Sequence, residues 1–193
     1  MLDIAMENYV EPQAAGPETV LSHATLATQV GRLHLYGTAD GLMTVVLPNE
    51  SREAAERRLC RLLGPLAVDD DVAAHERALQ QLAEYFAGRR QAFDLPLAML
   101  GTPFQQRVWQ AVAAVPYGQT RSYGEIARAI GRPAAVRAVG AANGANPLPP
   151  IIPCHRLIGA DGGLTGYGGG LGMKAWLLEL ERRVTDGGEP NRG

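Results

Sequence analysis

The chain has 193 residues, 46% hydrophobic and 20% charged, with a net charge of −2 and a mean hydropathy of −0.08, which allows a sizeable core in one domain or two small ones. No apolar run approaches the roughly 18 residues of a membrane-spanning helix, and Met1 to Glu11 holds three acids and no Lys or Arg, so neither a span nor a secretory leader is expected. Two cysteines far apart, Cys60 and Cys154, argue against a disulfide framework and for a reducing, cytoplasmic setting.

Residues 1–20 mix Pro12, Gly16 and Pro17 without periodicity and read as a flexible tail. Three strand candidates follow, Ser22–Thr28, Arg32–Tyr36 and Leu42–Leu47, punctuated by Gly31 and by Ala39-Asp40-Gly41, which predicts a small antiparallel meander. Arg52–Leu63 and His75–Ala87 are amphipathic helices, ended by Gly64-Pro65 and by Gly88. Asp69-Asp70-Asp71 stands where a carboxylate caps the second of them, and it lacks the glycine and distal glutamate of a calcium loop. Cys60, beside Leu59, Leu62 and Leu63, is expected in the core.

The link Phe93–Leu100 leads into a different texture. Thr102 as N-cap and Pro103 at the first helical position start a helix over Phe104–Ala114, which Pro116-Tyr117-Gly118 stops. Ser122 with Glu125 three residues on makes a capping box over Tyr123–Ile130. Gly131-Arg132-Pro133 turns into a third helix, Ala134–Ala142. Two short helices about a tight turn fit a helix-turn-helix, and on pattern alone an ordinary helical pair is the commoner outcome. Charge adds to the first reading: residues 1–97 hold eight Arg against fourteen acids, whereas residues 98–183 hold nine Arg and Lys against four. Such asymmetry is expected when one half meets a polyanion.

Beyond Asn146-Pro147 and Pro149-Pro150 comes Ile151-Ile152-Pro153-Cys154-His155-Arg156. Proline fixes φ, so Cys154 is expected on a stiff, extended, buried backbone. A neighbouring His or Arg assists thiolate formation, although adjacent side chains of an extended segment point apart and an apolar cysteine is often simply core. The glycine-dense run from Gly159 to Gly172 lacks a phosphate-binding fingerprint and reads as a loop that lets backbone approach a ligand. A last helix, Met173–Val184, carries Lys174, Trp176 and Glu181, and residues 185–193 form a polar tail.

The run from Gly101 to Glu181 closely resembles the O6-alkylguanine-DNA alkyltransferases. The resemblance rests on Gly101-Thr102-Pro103-Phe104-Gln105 with Val108-Trp109, on Pro116-Tyr117-Gly118, on Ser122-Tyr123-Gly124-Glu125 and on Arg137-Ala138-Val139-Gly140. It continues through Asn146-Pro147, Pro153-Cys154-His155-Arg156, Gly166-Tyr167-Gly168-Gly169-Gly170, and Lys174 with Trp176-Leu177-Leu178 to Glu181. The resemblance implies an α/β N-terminal domain with a small antiparallel sheet (21–97) and a mainly α C-terminal domain with a winged helix-turn-helix (98–184).

It also implies DNA repair by direct reversal, in which an alkyl group moves from guanine O6, and less efficiently thymine O4, to Cys154 in one irreversible turnover. By the same resemblance His155 and Glu181 draw off the thiol proton through a water, and Asn146 braces them. Tyr123 gives a proton to the departing base, which must first be flipped from the stack. Arg137 fills the gap in the duplex, while Ala135, Ala138 and Gly140 allow close approach to the minor groove of alkylated double-stranded DNA. Tyr167, Gly168, Gly169, Ile152 and Pro149 wall the alkyl pocket, and Lys174 braces the nearby backbone. No cofactor or metal is implied, and the protein is expected to be a monomer, with cooperativity on DNA left open. No site is expected in residues 1–97. A lesion sensor lacking the acceptor cysteine, a recycling Cys-His hydrolase and a zinc site around the two cysteines are the alternatives, and the acceptor itself argues against the first.

Overall fold

Gly31 and Gly41 set the two reversals from which the N-terminal part is built. At φ +142° Gly41 occupies backbone space that side-chain-bearing residues rarely enter, and a Cβ there would lie 2.4 Å from the Pro96 carbonyl oxygen. The protein, here a computed structural model describing residues 19–187, therefore folds back as β1 (Thr19–Thr28), β2 (Gly31–Thr38) and β3 (Gly41–Val46). The expected meander is present, and β1 begins two residues before the boundary assigned to the tail. Residues 1–18 and 188–193 lie outside the described residues, and Thr185, the first residue assigned to the C-terminal tail, ends the last helix.

The sheet differs from expectation in one respect: it is mixed. After α1 (Arg52–Leu63), residues Leu66–Asp70 form β4, which pairs parallel to β1 with Leu21 opposite Val68, giving the order β3-β2-β1-β4. Asp70 belongs to this strand, where its carboxylate meets His23 Nδ1 at 2.6 Å and Arg52. Only Asp71 caps, accepting from the Ala74 amide at 3.1 Å. Leu33, Leu35 and Val45 face one side of the sheet, whereas Tyr36 and Val46 face α1 together with Ala55 and Leu59. Cys60, one position past Leu59, is turned out of that stripe and is exposed, against expectation.

A 3-10 turn, Ala73–His75, leads into α2 (Glu76–Phe86). The chain then lies along β3: the Leu42 amide donates to Pro96 O at 2.9 Å and the Ala98 amide to Leu42 O at 3.0 Å. The helical part comprises α3 (Pro103–Ala113), α4 (Tyr123–Ala129), α5 (Val136–Gly144) and α6 (Gly170–Thr185), with a two-stranded parallel ladder of β5 (Arg121–Ser122) and β6 (Leu157–Ile158). Both N-termini are fixed locally, because Thr102 with Gln105 and Ser122 with Glu125 form reciprocal capping boxes. Trp109 is buried and donates from Nε1 to Ala142 O at 2.8 Å, which locks α3 to α5.

One apolar core runs through both parts, joining Leu33, Leu35, Tyr85 and Phe86 to Trp109, Val139, Leu177 and Leu180. The seam carries polar ties as well: the Val45 amide and the Thr44 hydroxyl both donate to Pro147 O at 2.8 Å. The sheet side is therefore docked against the segment that leads into Cys154. Among the described residues no helix is long and apolar enough to cross a membrane.

Candidate active site

The backbone at Cys154 is bent, where an extended segment was expected. Pro153 has φ −80° and ψ 61°, and the Cys154 amide donates to Ile152 O at 2.8 Å, so Pro153 centres an inverse γ-turn that runs into a 3-10 turn over Cys154–Arg156. The bend removes the opposite-faces geometry of a strand and lets consecutive side chains serve one site. Two asparagines fix it: Asn146 Nδ2 donates to Ile152 O at 2.8 Å, and Asn143 Nδ2 to Cys154 O at 3.3 Å. Asn146 Oδ1 also accepts from the Leu148 amide at 3.0 Å. Asn143 was not singled out in the sequence, where a helix-end asparagine before Gly144 looks like a stop signal.

Cys154 is buried, and burial pushes its thiol up to about 11, even though the Asn146 side chain and the Lys174 charge act the other way. Held that far above neutral pH by burial, the thiol stays protonated at pH 7. A base must take the proton if the sulfur is to react.

His155 supplies a candidate. Its ring is fully buried, with Nε2 2.8 Å from Glu181 Oε1 and Nδ1 left without a hydrogen-bonding partner. An ionised carboxylate only accepts, so Nε2 carries the proton and Nδ1 the lone pair. Burial holds the imidazole below its usual value, partly offset by Glu181.

Glu181 is the hub of the site. It is completely buried and takes five donor groups: His155 Nε2, Arg156 Nε at 2.9 Å to Oε2, Arg156 Nη2 at 2.9 Å to Oε1, the Gly118 amide at 3.0 Å and the Tyr85 hydroxyl at 2.7 Å. Burial alone would raise this carboxyl, but the hydrogen bonds and charges of His155 and Arg156 bring it down to about 2. Arg156 also donates from Nη1 to Val115 O at 2.5 Å and lies 5.5 Å from the Tyr117 ring centre.

Tyr85 was missed as a site residue. It sits on α2, in the half from which no site was expected, and an aromatic at helical spacing gives no sign that its hydroxyl ends on a carboxylate 96 positions away. Lys174, buried on α6, donates to the carbonyls of Leu157 and Thr165, the latter at 2.6 Å, so it ties the strand after the cysteine to the glycine loop.

An open cleft of about 1140 Å³ ends on Cys154 and is lined by Tyr123, Asn146, Pro149, Gly166, Tyr167 and Gly168, among others. Ile152 does not reach it: the side chain is in the core and only its carbonyl serves the site. Gly169 is not among the lining residues; a Cβ there would lie 2.6 Å from Met173 Sδ, 2.9 Å from Tyr167 Cε1 and 3.1 Å from Leu47 Cδ1, so it lets the Tyr167 ring and Leu47 pack closely behind the wall. The hydroxyl of Tyr167 is buried and unpartnered, and burial raises it well above the ordinary phenol range. Tyr123 packs against Gly140 and accepts from Thr165 Oγ1 at 3.4 Å. Arg137 is exposed on α5 with Ala134, Ala138 and Ala141 around it, Ala135 is half-buried, and Ala142 is instead in the core. No cluster of metal-ligating side chains occurs among the described residues.

A cysteine at the end of an open cleft, next in sequence to an imidazole with an unpartnered nitrogen, has the parts of a protein that accepts a group on cysteine. Residues 103–183 match the family model for the DNA-binding domain of 6-O-methylguanine DNA methyltransferase, and residues 21–99 match its ribonuclease-like domain. The chain is 45% identical to a methylated-DNA–protein-cysteine methyltransferase of Mycobacterium tuberculosis over 163 residues, 84% of this chain and 93% of that one. An inducible Bacillus subtilis protein of the same name is 46% identical over 79% of this chain and 85% of its own length. The solved structure of Mycobacterium tuberculosis OGT in complex with DNA superposes with a TM-score of 0.73 at 43% identity, covering 86% of this chain and 94% of that one. This chain belongs to the 6-O-methylguanine DNA methyltransferases.

Proposed function

We propose that the protein repairs DNA by direct reversal, moving an alkyl group from guanine O6 to Cys154, and that its own residues divide the work as follows. The observation that carries the reading is His155, whose Nε2 is committed to Glu181 while Nδ1 stays unpartnered. The thiol proton passes through a water to Nδ1. Glu181, with its affinity for protons depressed by five donors, keeps its charge and stabilises the imidazolium; it orients and does not itself take the proton.

The sulfur attacks the alkyl carbon in line with the C–O6 bond. As the S–C bond forms and the C–O bond breaks, guanine leaves with the electron pair and takes a proton from the Tyr123 hydroxyl; the Tyr123 phenolate then regains a proton from solvent and the His155 imidazolium releases the one it took, so no net proton is lost. The product thioether has no leaving group, so the reaction ends there, and thymine O4 is a slower substrate of the same step.

For the base to reach Cys154 it must leave the stack, at a cost of roughly a few kcal/mol. The pair α4 and α5, with the β5–β6 ladder beside it, supports a winged helix-turn-helix, divided from the N-terminal domain near residue 97. The exposed alanine face of α5 suits close approach to the minor groove, and Arg137 on that face suits the gap a flipped nucleotide leaves. Tyr123, Ala135, Ala138 and Gly140 complete this surface, while Pro149, Tyr167 and Gly168 wall the alkyl group. One chain carries every residue of the scheme, so we propose that it acts as a monomer. Both cysteines are free thiols, and the reducing cytoplasm is the compartment that keeps an acceptor thiol usable.

Incubation with duplex DNA carrying labelled O6-methylguanine tests the proposal. Label is expected to move to wild-type protein with a stoichiometry of about one and to stay on DNA with Cys154→Ala. Transfer to the alanine variant, or repeated turnover by the wild type, would overturn it.

A further inference from the structure

The hydroxyl of Tyr85 has a destination that core packing does not require. The ring is completely buried, among Phe86, Phe93 and Tyr117, at centroid distances of 5.5, 5.3 and 6.1 Å. A buried phenol needs one hydrogen-bond partner, and a backbone carbonyl would do. Tyr85 instead donates to Glu181 Oε1, the oxygen that also receives His155 Nε2–H, and its own oxygen lies 3.3 Å from that nitrogen. Hydroxyl, imidazole and carboxylate thus form a closed triangle spanning α2, the Cys154 turn and α6.

We propose that Tyr85 is a positioning residue for alkyl transfer, contributed by the N-terminal half, whose hydroxyl holds Glu181 and the His155 ring so that His155 Nδ1 stays free to receive the thiol proton. The inference rests on the reading of His155 as the proton acceptor given above. Two consequences of the triangle act together. The ring cannot flip to point Nδ1 at the carboxylate without placing a carbon where Tyr85 and Glu181 now receive Nε2–H. The hydroxyl proton, directed at Oε1, also takes up part of the carboxylate charge that would otherwise stabilise the imidazolium.

The other charged and titratable groups around His155 are Lys174 on α6, Arg156 and Cys154 beside it in the turn, and Tyr167 on the glycine loop. Tyr117 faces the Arg156–Glu181 pair from the segment after α3. Of these, Arg156 alone donates to the carboxylate oxygen that His155 and Tyr85 use.

Tyr85→Phe keeps the ring and removes the hydroxyl. With the carboxylate charge less shared, the imidazolium is more stable, and His155 remains protonated to higher pH. Single-turnover transfer measured across pH is expected to lose rate on the acid side, with the acid limb displaced upward by about half a pH unit or more. Phe93→Leu, which disturbs the same ring packing without a hydroxyl, is expected to lower the melting temperature and leave the limb in place. In the wild-type protein, which needs no variant to fold, nitrogen chemical shifts are expected to show His155 as the Nε2–H tautomer.

An acid limb in Tyr85→Phe that coincides with that of the wild type, an equal displacement in Phe93→Leu, or an Nδ1–H tautomer in the wild type would overturn the inference. If the wild type shows an acid limb that His155→Gln abolishes, while Tyr85→Phe leaves it unmoved, the role of His155 stands and that of Tyr85 alone falls. If His155→Gln transfers as fast as wild type at every pH, the reading of His155 falls and takes the inference with it.

Discussion

Arg156 and Arg137 belong to the same helical half and are used in opposite ways. Arg156 is buried, and its guanidinium is spent on Glu181 and Val115 O. Arg137 stands in solvent on a face of small residues. In the first region charges are locked so that one imidazole is held in one orientation. In the second, a cation with freedom to reach is kept on a surface with little side chain to obstruct a partner. On the proposed mechanism the difference separates what prepares the thiol from what delivers its substrate, and variants in the two regions should therefore fail in different assays.

Breaking the buried region should have the largest effect. Glu181→Gln leaves the Arg156 guanidinium buried without its counter-charge, and removing one partner of such a pair costs about 3–5 kcal/mol. The variant should unfold at much lower denaturant concentration than the wild type. Acid provides a second handle. The carboxyl of Glu181 lies at about 2 in the folded protein against 4.5 ordinarily, so its contribution to stability is fully present above 4.5 and is lost as pH falls through about 2. His155 acts in the same direction from higher pH, losing its contribution as pH falls below 6.5, because its folded value is lowered and acid favours the unfolded chain that can protonate it. Wild-type stability should decline over that acid window, and Glu181→Gln should lack the carboxyl part of the decline. An equally steep acid decline in the variant would show that Glu181 is not the hub.

Filling the pocket should have a smaller effect. Cys154 sits at 5% exposure between Asn146, Tyr167 and the glycine loop. Where the methyl on its sulfur presses on these neighbours and not into the open cleft, overpacking costs on the order of 1–3 kcal/mol. Protein spent on O6-methylguanine DNA and then freed of DNA should melt below fresh protein. An equal or higher melting temperature would mean that the cleft already holds room for the group.

The two regions also differ in how far the sequence reveals them. The α4–α5 pair is coded locally: Ser122 with Glu125 and the Gly131 turn are adjacent signals, and the helices lie within two residues of where those signals place them. The same holds for the strand reversals at Gly31 and Gly41. Cys154 and His155 are visible as a motif. The hub around Glu181 is only partly visible, because its donors come from α2, the segment after α3, the Cys154 turn and α6, and side-chain reach across a fold leaves no periodic trace. Tyr85 reads as core because most of its side chain, the ring, packs as a phenylalanine would. Strand β4 was hidden for a related reason: it is five residues long and ends in aspartates, and only its parallel partner β1 makes it a strand. Cys60 was misread because leucines on either side concealed how narrow the buried stripe of α1 is; only Ala55 and Leu59 are buried there.

The smallest effect on stability, and the sharpest test of the contrast, comes from Arg137→Ala. Arg137 is exposed, and alanine is a good helix former, so the melting temperature should stay within about 0.5 kcal/mol equivalent of the wild type. Its loss should appear only where a base has to leave a duplex. Transfer from O6-methylguanine in double-stranded DNA should slow by about tenfold or more, which corresponds to roughly 1.4 kcal/mol of barrier. Transfer from the free modified base, which needs no flipping, should be unchanged, because nothing in the network of Cys154, His155, Glu181 and Tyr85 touches α5 through this residue. Equal slowing on free base and duplex would place Arg137 in the thiol's preparation and erase the distinction between the two arginines. A rate unchanged on both would mean that another group on the exposed face of α5 holds the duplex open, and Arg132, in the turn that precedes that helix, would be the next arginine to remove.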